Sequence, residues 1–451
     1  MRSVREVFEP ARSREVLFLA APIIAGMMSQ SVLNLVDTAM VGRLGPAAQG
    51  AAGLGSFSFF VLANLVIGLG TGVQAMVSRR DGEGRAEGAG AALDTALVLA
   101  VFVALPLGYG LSFLADDIFP LLSDDPLVVA GGAGYLQIRL MAIGVVTANY
   151  CFRGFYNGIG RSRTYMSTLI VIHVLNIFLN WVFIYGHLGA PRMEVRGAAL
   201  ASALAAAIGT LTYVGLTVVN KDIRQRYLPF RFRSISATVA GRLVSLSWPE
   251  ALRGIGLMVG FVLFLRLHSW LGTREVAAGT ILVTLASVGF LPALGFGLAG
   301  ATFVGRNLGA GKPEEARRMV WQTVRIALVA MLVPIIVMQA GPAAVLSLFT
   351  PDAVVIELAV PAVRLLALSF LIDCLPFVLL YSLVGAGATR WAAAVQLSAQ
   401  YGVMLPLAWL LGLQLDGGLV GLWTGLVVSR VFLGAVALHK FNGRSWEGIA
   451  V

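Results

Sequence analysis

Charge is scarce in this chain. Asp, Glu, Lys and Arg make up 12% of its 451 residues, about half the ~25% usual in soluble domains. A soluble fold of this size would have to expose much of the 58% that is apolar, which excludes an ordinary cytoplasmic enzyme. The same apolar content excludes disorder, which needs low hydrophobicity. Cysteine is nearly absent: Cys151 and Cys374 both fall in apolar segments, so no disulfide framework or metal cluster is expected and buried free thiols are. No Ser/His/Asp constellation is present. The glycine-rich segments 78–84 and 305–311 lack the preceding strand and the Lys-Ser/Thr of a nucleotide-binding loop. They read as tight turns, and neither an enzyme nor a cofactor is expected. The 33 cations exceed the 23 acids by 10. With no soluble basic domain to carry them, they mark cytoplasmic loops and not nucleic-acid binding.

Long apolar runs are what the chain has in plenty. At ~20 residues per membrane helix, twelve helices use about 240 residues, close to the apolar total. The runs place spans at 16–40, 50–77, 92–114, 134–156, 165–187, 198–219, 241–266, 276–304, 320–342, 359–384, 391–413 and 418–438. The expected fold is an all-α integral membrane protein of about twelve helices in two pseudo-symmetric six-helix lobes. The first run exceeds a 7–15-residue signal-peptide core and reads as a retained helix. Lys221, Arg224, Arg226, Arg231 and Arg233 mark a basic linker. They divide the chain into an N-lobe at 1–219, a cytoplasmic linker at 220–240 and a C-lobe at 241–451.

The two halves align at one offset. Adding 227 takes Pro22 to Pro249, Leu44-Gly45 to Leu271-Gly272, Gly68 and Gly70 to Gly295 and Gly297, Arg79 to Arg306, and Arg163 to Arg390. An even number of spans per half makes these parallel repeats. Cations concentrate on one side: Arg2, Arg5, Arg12 and Arg14 before the first span, Arg79, Arg80 and Arg85, Arg161 and Arg163, the linker, Arg306, Lys312, Arg317 and Arg318, then Lys440 and Arg444. Both termini are therefore expected in the cytoplasm.

The chemistry must lie in polar residues within the spans. A carboxylate deep in a helix costs ~2.5–3.5 kcal/mol on insertion scales, so it is normally placed facing a partner or a cavity. Gln30, Asn34 and Asp37 share one face of the first helix, at successive spacings of four and three. Its repeat partner is Phe264, so this acid belongs to the N-half alone. Pro22 removes a backbone hydrogen bond and makes a bend possible. His173, Asn176 and Asn180 line one face of the fifth span, and Ser202 follows the small-residue run 197–201 of the sixth. These groups can bond a carboxylate or coordinate a small cation. The competing readings are an interfacial Asp37, helix-to-helix glue for the amides and the serine, and a merely hydrogen-bonded His173. Asp373 in the tenth span is a second acid, functional or salt-bridged to Arg253 or Arg364. Glu250 reads as interfacial.

Residues 37–45, the paired glycine loops after the second and eighth spans, 158–163 with its counterpart 385–390, and 197–202 together resemble the multidrug and toxic compound extrusion (MATE) family, across roughly residues 12–439. Arg253, with Asp37 unmatched in the seventh helix, resembles the DinF-like branch more than the NorM-like one. The resemblance implies a secondary active exporter in the cell (inner) membrane. It would exchange organic cations or amphipathic drugs for H⁺ or, less favoured, Na⁺. Asp37 would be the coupling residue, supported by Gln30, Asn34, Asn176, Asn180 and Ser202, with His173 a possible relay. Some relatives carry a second Asp where Asn180 stands, and the lost carboxylate favours protons. No metal site is implied unless Asp37 holds Na⁺. A monomer in the lipid bilayer is expected. The rival reading is a lipid-linked oligosaccharide flippase, for which Arg139, Arg253 and Arg364 are the available cations.

Overall fold

The computed structural model describes residues 9–231 and 235–449. Arg2 and Arg5 of the N-terminal charge cluster and Arg233 of the linker lie outside the described residues. Among the described residues the chain is helical, without strands. Its principal helices are α1 (Pro10–Gly42), α2 (Pro46–Gly82), α3 (Ala86–Ser112), α4 (Pro126–Met141), α5 (Ile143–Gly158), α6 (Ser162–Tyr185), α7 (Glu194–Val219) and α8 (Lys221–Tyr227). They continue as α9 (Ala237–Leu271), α10 (Thr273–Gly309), α11 (Pro313–Ala340), α12 (Ala353–Gly385), α13 (Thr389–Gln414) and α14 (Gly418–Asn442).

Eleven helices are long and apolar enough to cross a membrane, and twelve spans result if the bent pair α4 and α5 counts as one. Large apolar side chains cover the outside: Phe102, Leu211, Val333 and Ile336 are 62–73% exposed, as lipid-facing residues should be and water-facing ones rarely are. The fold is that of an all-helical, multi-pass membrane protein.

The fourth span departs from expectation. The sequence gives one helix over 134–156, whereas the structure breaks it by 52° at Ala142, between α4 and α5. Just beyond the break, a Cβ on Gly144 would stand 2.7 Å from Leu105 Cβ, so the third span crosses very close there. The third and eleventh spans each widen into a π-helical stretch, at Ala100–Ala104 and Ala399–Met404. Each stretch ends two residues before a proline, Pro106 and Pro406. Proline lacks the N–H that an α-turn needs and crowds the preceding turn, and a wide turn relieves both.

The repeat is visible in the backbone. Gly45 and Gly272, both at positive φ, precede α2 and α10, and these helices span equivalent residues at the 227 offset. Asp125 and Asp352 are equivalent N-caps, accepting from the N–H of Leu127 and Val354, each at 2.9 Å. The amides of the two caps bond back to Ser123 and Thr350 at 3.2 Å.

Packing separates two compact units, Ala25–Leu252 and Met1–Ile24 with Arg253–Val451. The boundaries do not fall at the basic segment. They fall inside α1 and α9, shortly after Pro22 and Pro249, and Ala25 and Leu252 are again 227 apart. Both prolines lie within unbroken helices.

The basic segment is docked within the Ala25–Leu252 unit. Arg226 and the Tyr227 hydroxyl both donate to Asp81, at 3.2 and 2.7 Å, and Arg161 pairs with Asp222. Burial, then the Asp81 carboxylate, raises the Tyr227 pKa, so the phenol stays a donor. Asp94 accepts from the N–H groups of Phe230 and Arg231 at 2.7 and 3.0 Å. This holds a turn in which Leu228 and Phe230 have positive φ.

Candidate functional site

The Ala25–Leu252 unit brings the expected polar residues of the first, fifth and sixth spans together. Gly197 has no side chain to hold α7 away from α6: a Cβ there would stand 2.6 Å from the Phe183 carbonyl carbon. At the far end of α1 the Tyr185 hydroxyl donates to the Met40 carbonyl at 2.7 Å, fastening α1 to α6. Between these contacts Asn180 Nδ2 donates to Asp37 Oδ1 at 2.6 Å. The Asn176 amide, oriented to satisfy its surroundings, donates to the same carboxylate oxygen at 3.0 Å. Its own oxygen accepts from the Ser202 hydroxyl at 3.1 Å and the Ser202 N–H at 3.2 Å. Farther along α1, Gln30 donates to Asn34 at 3.1 Å and meets His173 Nε2 through its own oxygen at 3.2 Å. Asn176, Asn180 and His173 are buried, Asp37 is half-buried, and Gln30 and Asn34 are exposed. Pro22 stands apart, in the portion of α1 that belongs to the other unit.

The carboxylate is thus held by neutral amides. Asn180 Oδ1 is buried without a hydrogen-bond partner, leaving an acceptor beside the acid as well as donors. A proton on Asp37 turns one acceptor into a donor, and the spare oxygen can take it. Among the described residues no group of three or more His, Cys, Asp or Glu gathers in a way that would hold a metal.

Helices α9 and α13 cross as α1 and α6 do, with different chemistry. Gln400, the counterpart of His173, donates to the carbonyl of Leu257, the counterpart of Gln30, at 3.0 Å. Arg253 stands where the N-half has Gly26, and donates to Gln396 Oε1 at 2.6 Å and to the Tyr381 hydroxyl at 2.9 Å. Phe264, the counterpart of Asp37, is fully buried against Trp423 and His268.

Two expectations need correction. The cation beside Asp373 is neither Arg253 nor Arg364 but Arg430 of α14, whose Nε lies 3.4 Å from Oδ1 and whose guanidinium lies over Phe377. A partner 57 residues away in the chain has no local signature, whereas Arg253 is committed to Gln396 and Tyr381. Glu250, read as interfacial, faces the protein interior and not solvent: it is 5% exposed, packed where Gly68 lets α9 approach α2.

Arg139 was legible as a cation for a rival ligand and not as a member of the Asp37 site. It lies on α4 with its guanidinium 4.2 Å from the Phe59 ring centroid, one turn from Tyr135, which packs in one cluster with Val41, one turn from Asp37. The available signal was a lone arginine in an apolar run whose repeat partner is Leu366.

Comparison with known proteins agrees with the geometry. The MatE family model matches residues 22–182 and again 249–410, two copies that start 227 residues apart. The chain is 26% identical to "Probable multidrug resistance protein NorM" of Thermotoga maritima over 98% of its length and 95% of that protein's. It is 29% identical to "Multidrug resistance protein PmpM" of Pseudomonas aeruginosa, over 93% and 89%. Its fold matches a structure described as the outward-facing conformation of a multidrug resistance MATE family transporter, with TM-score 0.89, 22% identity and 96% coverage of each chain. One family model matched twice, over 22–182 and 249–410, places this chain in the MatE family of membrane transporters.

Proposed function

We propose that this protein is a secondary active exporter of cationic or amphipathic organic compounds, that Asp37 is its cation-coupling residue, and that the coupling ion is H⁺. One observation carries the reading: a single carboxylate within a span, held by the neutral amides of Asn180 and Asn176, beside a buried amide oxygen that lacks a partner. Deprotonated, Asp37 accepts from both amides. Protonated, it keeps an oxygen that accepts and gains an O–H that needs an acceptor, which a turn of the Asn180 amide supplies, and the α1 to α6 contact changes with it. Substrate and proton then favour different states, as coupling requires. Gln30, Asn34, Ser202 and His173 hold the two faces in register, and Pro22 lets α1 yield.

One proton moving down a pH unit releases ~1.4 kcal/mol, and 100 mV adds ~2.3 kcal/mol. Together these sustain a gradient of a neutral substrate of roughly several hundredfold. The relatives' names, multidrug resistance proteins NorM and PmpM of bacteria, support drug export from the inner membrane. The loop charges support cytoplasmic termini and the division into lobes at 1–219 and 241–451. Arg253 supports the DinF-like branch, and the chain is read as a monomer. The flippase reading is weaker, because Arg253 is occupied by Gln396 and Tyr381 and Arg364 is exposed.

The test is movement of a fluorescent cationic dye in vesicles containing the full chain. A pH gradient is expected to drive it, and a Na⁺ gradient at fixed pH is not. Dye movement driven by Na⁺ alone sinks the proton assignment, and no movement under either gradient sinks the exporter reading.

The pairing of Asp373 with Arg430 supports a structural role for this second acid. Removing one member of a buried pair strands the other, at about 3–5 kcal/mol. Asp373→Asn and Arg430→Met are each expected to lower the unfolding temperature, and the double variant to recover most of the loss while still transporting. A double variant no more stable than the worse single one would show that the pair is not what holds these helices.

A further inference from the structure

We propose that Arg139 is the ion-selectivity residue of the Asp37 site: its fixed positive charge leaves the carboxylate open to a proton and closed to sodium. The proposal deepens the exporter reading and rests on it.

An arginine within a span is costly and normally has an anionic partner or faces water. Arg139 makes no ion pair among the described residues, and its Nε is buried without a hydrogen-bond partner. Its position is nonetheless built. Phe59 of α2 lies under the guanidinium, and a desolvated contact of that kind holds the charge in place. Leu136 and Leu140, on either side of Arg139, pack in one cluster with Phe59. One turn earlier on α4, Tyr135 packs with Val41, which lies one turn beyond Asp37 on α1. Asp37 and Arg139 therefore leave from turns that flank one packed cluster.

Several other titratable groups on the surrounding helices are engaged elsewhere. Tyr135 accepts from Ser56, Tyr185 bonds the Met40 carbonyl, His173 meets Gln30, and Glu194 pairs with Arg192. Arg196 packs against Gly134 of α4. Arg139 is the cation left on the turn beside the cluster that Tyr135 shares with Val41.

The chemistry of the two ions differs in the respect that matters. A proton forms a covalent O–H bond with one oxygen, so a nearby cation lowers its affinity without abolishing it. Sodium binds by charge and a shell of oxygens. Asp37 supplies one carboxylate, and the positive charge of Arg139 opposes its field, which weakens the attraction that sodium depends on. Like Asp37, Arg139 has no counterpart in the C-half, where Leu366 stands, so acid and cation occur together in one repeat.

The experiment uses the full chain in proteoliposomes with ethidium as the probe. Wild type, Arg139→Gln, Arg139→Lys and Asp37→Asn are compared under pH gradients, and under Na⁺ gradients at fixed pH. In Arg139→Gln the pH of half-maximal transport is expected to rise by about one unit, since a neighbouring opposite charge disfavours the protonated form of an acid. Na⁺ should also stimulate transport at least about twofold, whereas Arg139→Lys should keep the wild-type response. An unchanged pH profile and continued indifference to Na⁺ in Arg139→Gln would overturn the proposal. Titration of detergent-purified wild type with Na⁺ decides the matter if that variant does not fold. No binding is expected, and binding lost in Asp37→Asn would overturn the assignment. Absence of ethidium transport by wild type under either gradient identifies failure of the exporter reading itself, and transport that survives intact in Asp37→Asn identifies failure of the coupling assignment.

Discussion

Asp37→Asn is expected to abolish concentrative drug transport while leaving the protein folded. The substitution keeps the shape of the side chain and an oxygen to accept from Asn180, 2.6 Å away in the native protein. It removes the only group on this face of α1 that can take up and release a proton. For a singly charged dye exchanged one for one with H⁺ the charges cancel and only the pH difference drives transport, ~1.4 kcal/mol per pH unit, so the accumulation ratio should fall from roughly tenfold per pH unit to unity. Binding of the dye and the unfolding temperature should change little, because the amide still fits between Asn180 and Asn176. The readouts are dye accumulation under a fixed pH gradient and thermal unfolding of the purified protein. Concentrative transport at the wild-type level would remove Asp37 from the coupling step. Asp37→Glu separates chemistry from geometry: it retains an acid, displaced by one methylene from the two amides, and should transport at a reduced rate.

Most of this architecture was legible in the sequence because membrane helices announce themselves by length and apolarity, and because the chain states its half twice. Helical spacing put Gln30, Asn34 and Asp37 on one face and His173, Asn176 and Asn180 on another, since residues three, four and seven apart share a face, and the family resemblance joined the two faces with Ser202. The elements that escaped notice depend on contacts between distant segments. The Asp373 to Arg430 pair, the burial of Glu250 against α2 and the place of Arg139 beside Asp37 all join helices far apart in the chain. The break at Ala142 escaped for a different reason. No proline marks it; the close approach of α5 to the third span accompanies it, and that approach needs Gly144 and the π-helical turn at Ala100–Ala104 together. The packing boundaries inside α1 and α9 were hidden likewise, because hydropathy runs through both helices without interruption.

Gly70→Val should be among the most damaging single changes in the protein. A Cβ at Gly70 would stand 2.6 Å from the Tyr150 carbonyl oxygen and 2.9 Å from its carbon. The obstacle is the backbone of α5, which cannot turn aside as a side chain can. The repeat makes the same crossing in the C-half, where a Cβ at Gly297 would meet the carbonyl oxygen of Phe377 at 2.9 Å, and Phe377 is the counterpart of Tyr150. Overpacking a close-packed interior typically costs 1–3 kcal/mol and sometimes more. With backbone against backbone, the cost at Gly70 should reach about 3 kcal/mol or more, and Gly297→Val should cost somewhat less. Gly53 lies on the same helix as Gly70, but a Cβ there would meet nothing within 4 Å. Gly53→Ala should be neutral or stabilising by up to about 1 kcal/mol, since alanine is the better helix former. The measurement is the temperature at which half of each detergent-purified variant loses its monodisperse peak. Equal behaviour of Gly70→Val and Gly53→Ala would mean that α2 and α5 can separate without loss. The repeat would then conserve this glycine for some reason other than the helix crossing it now explains.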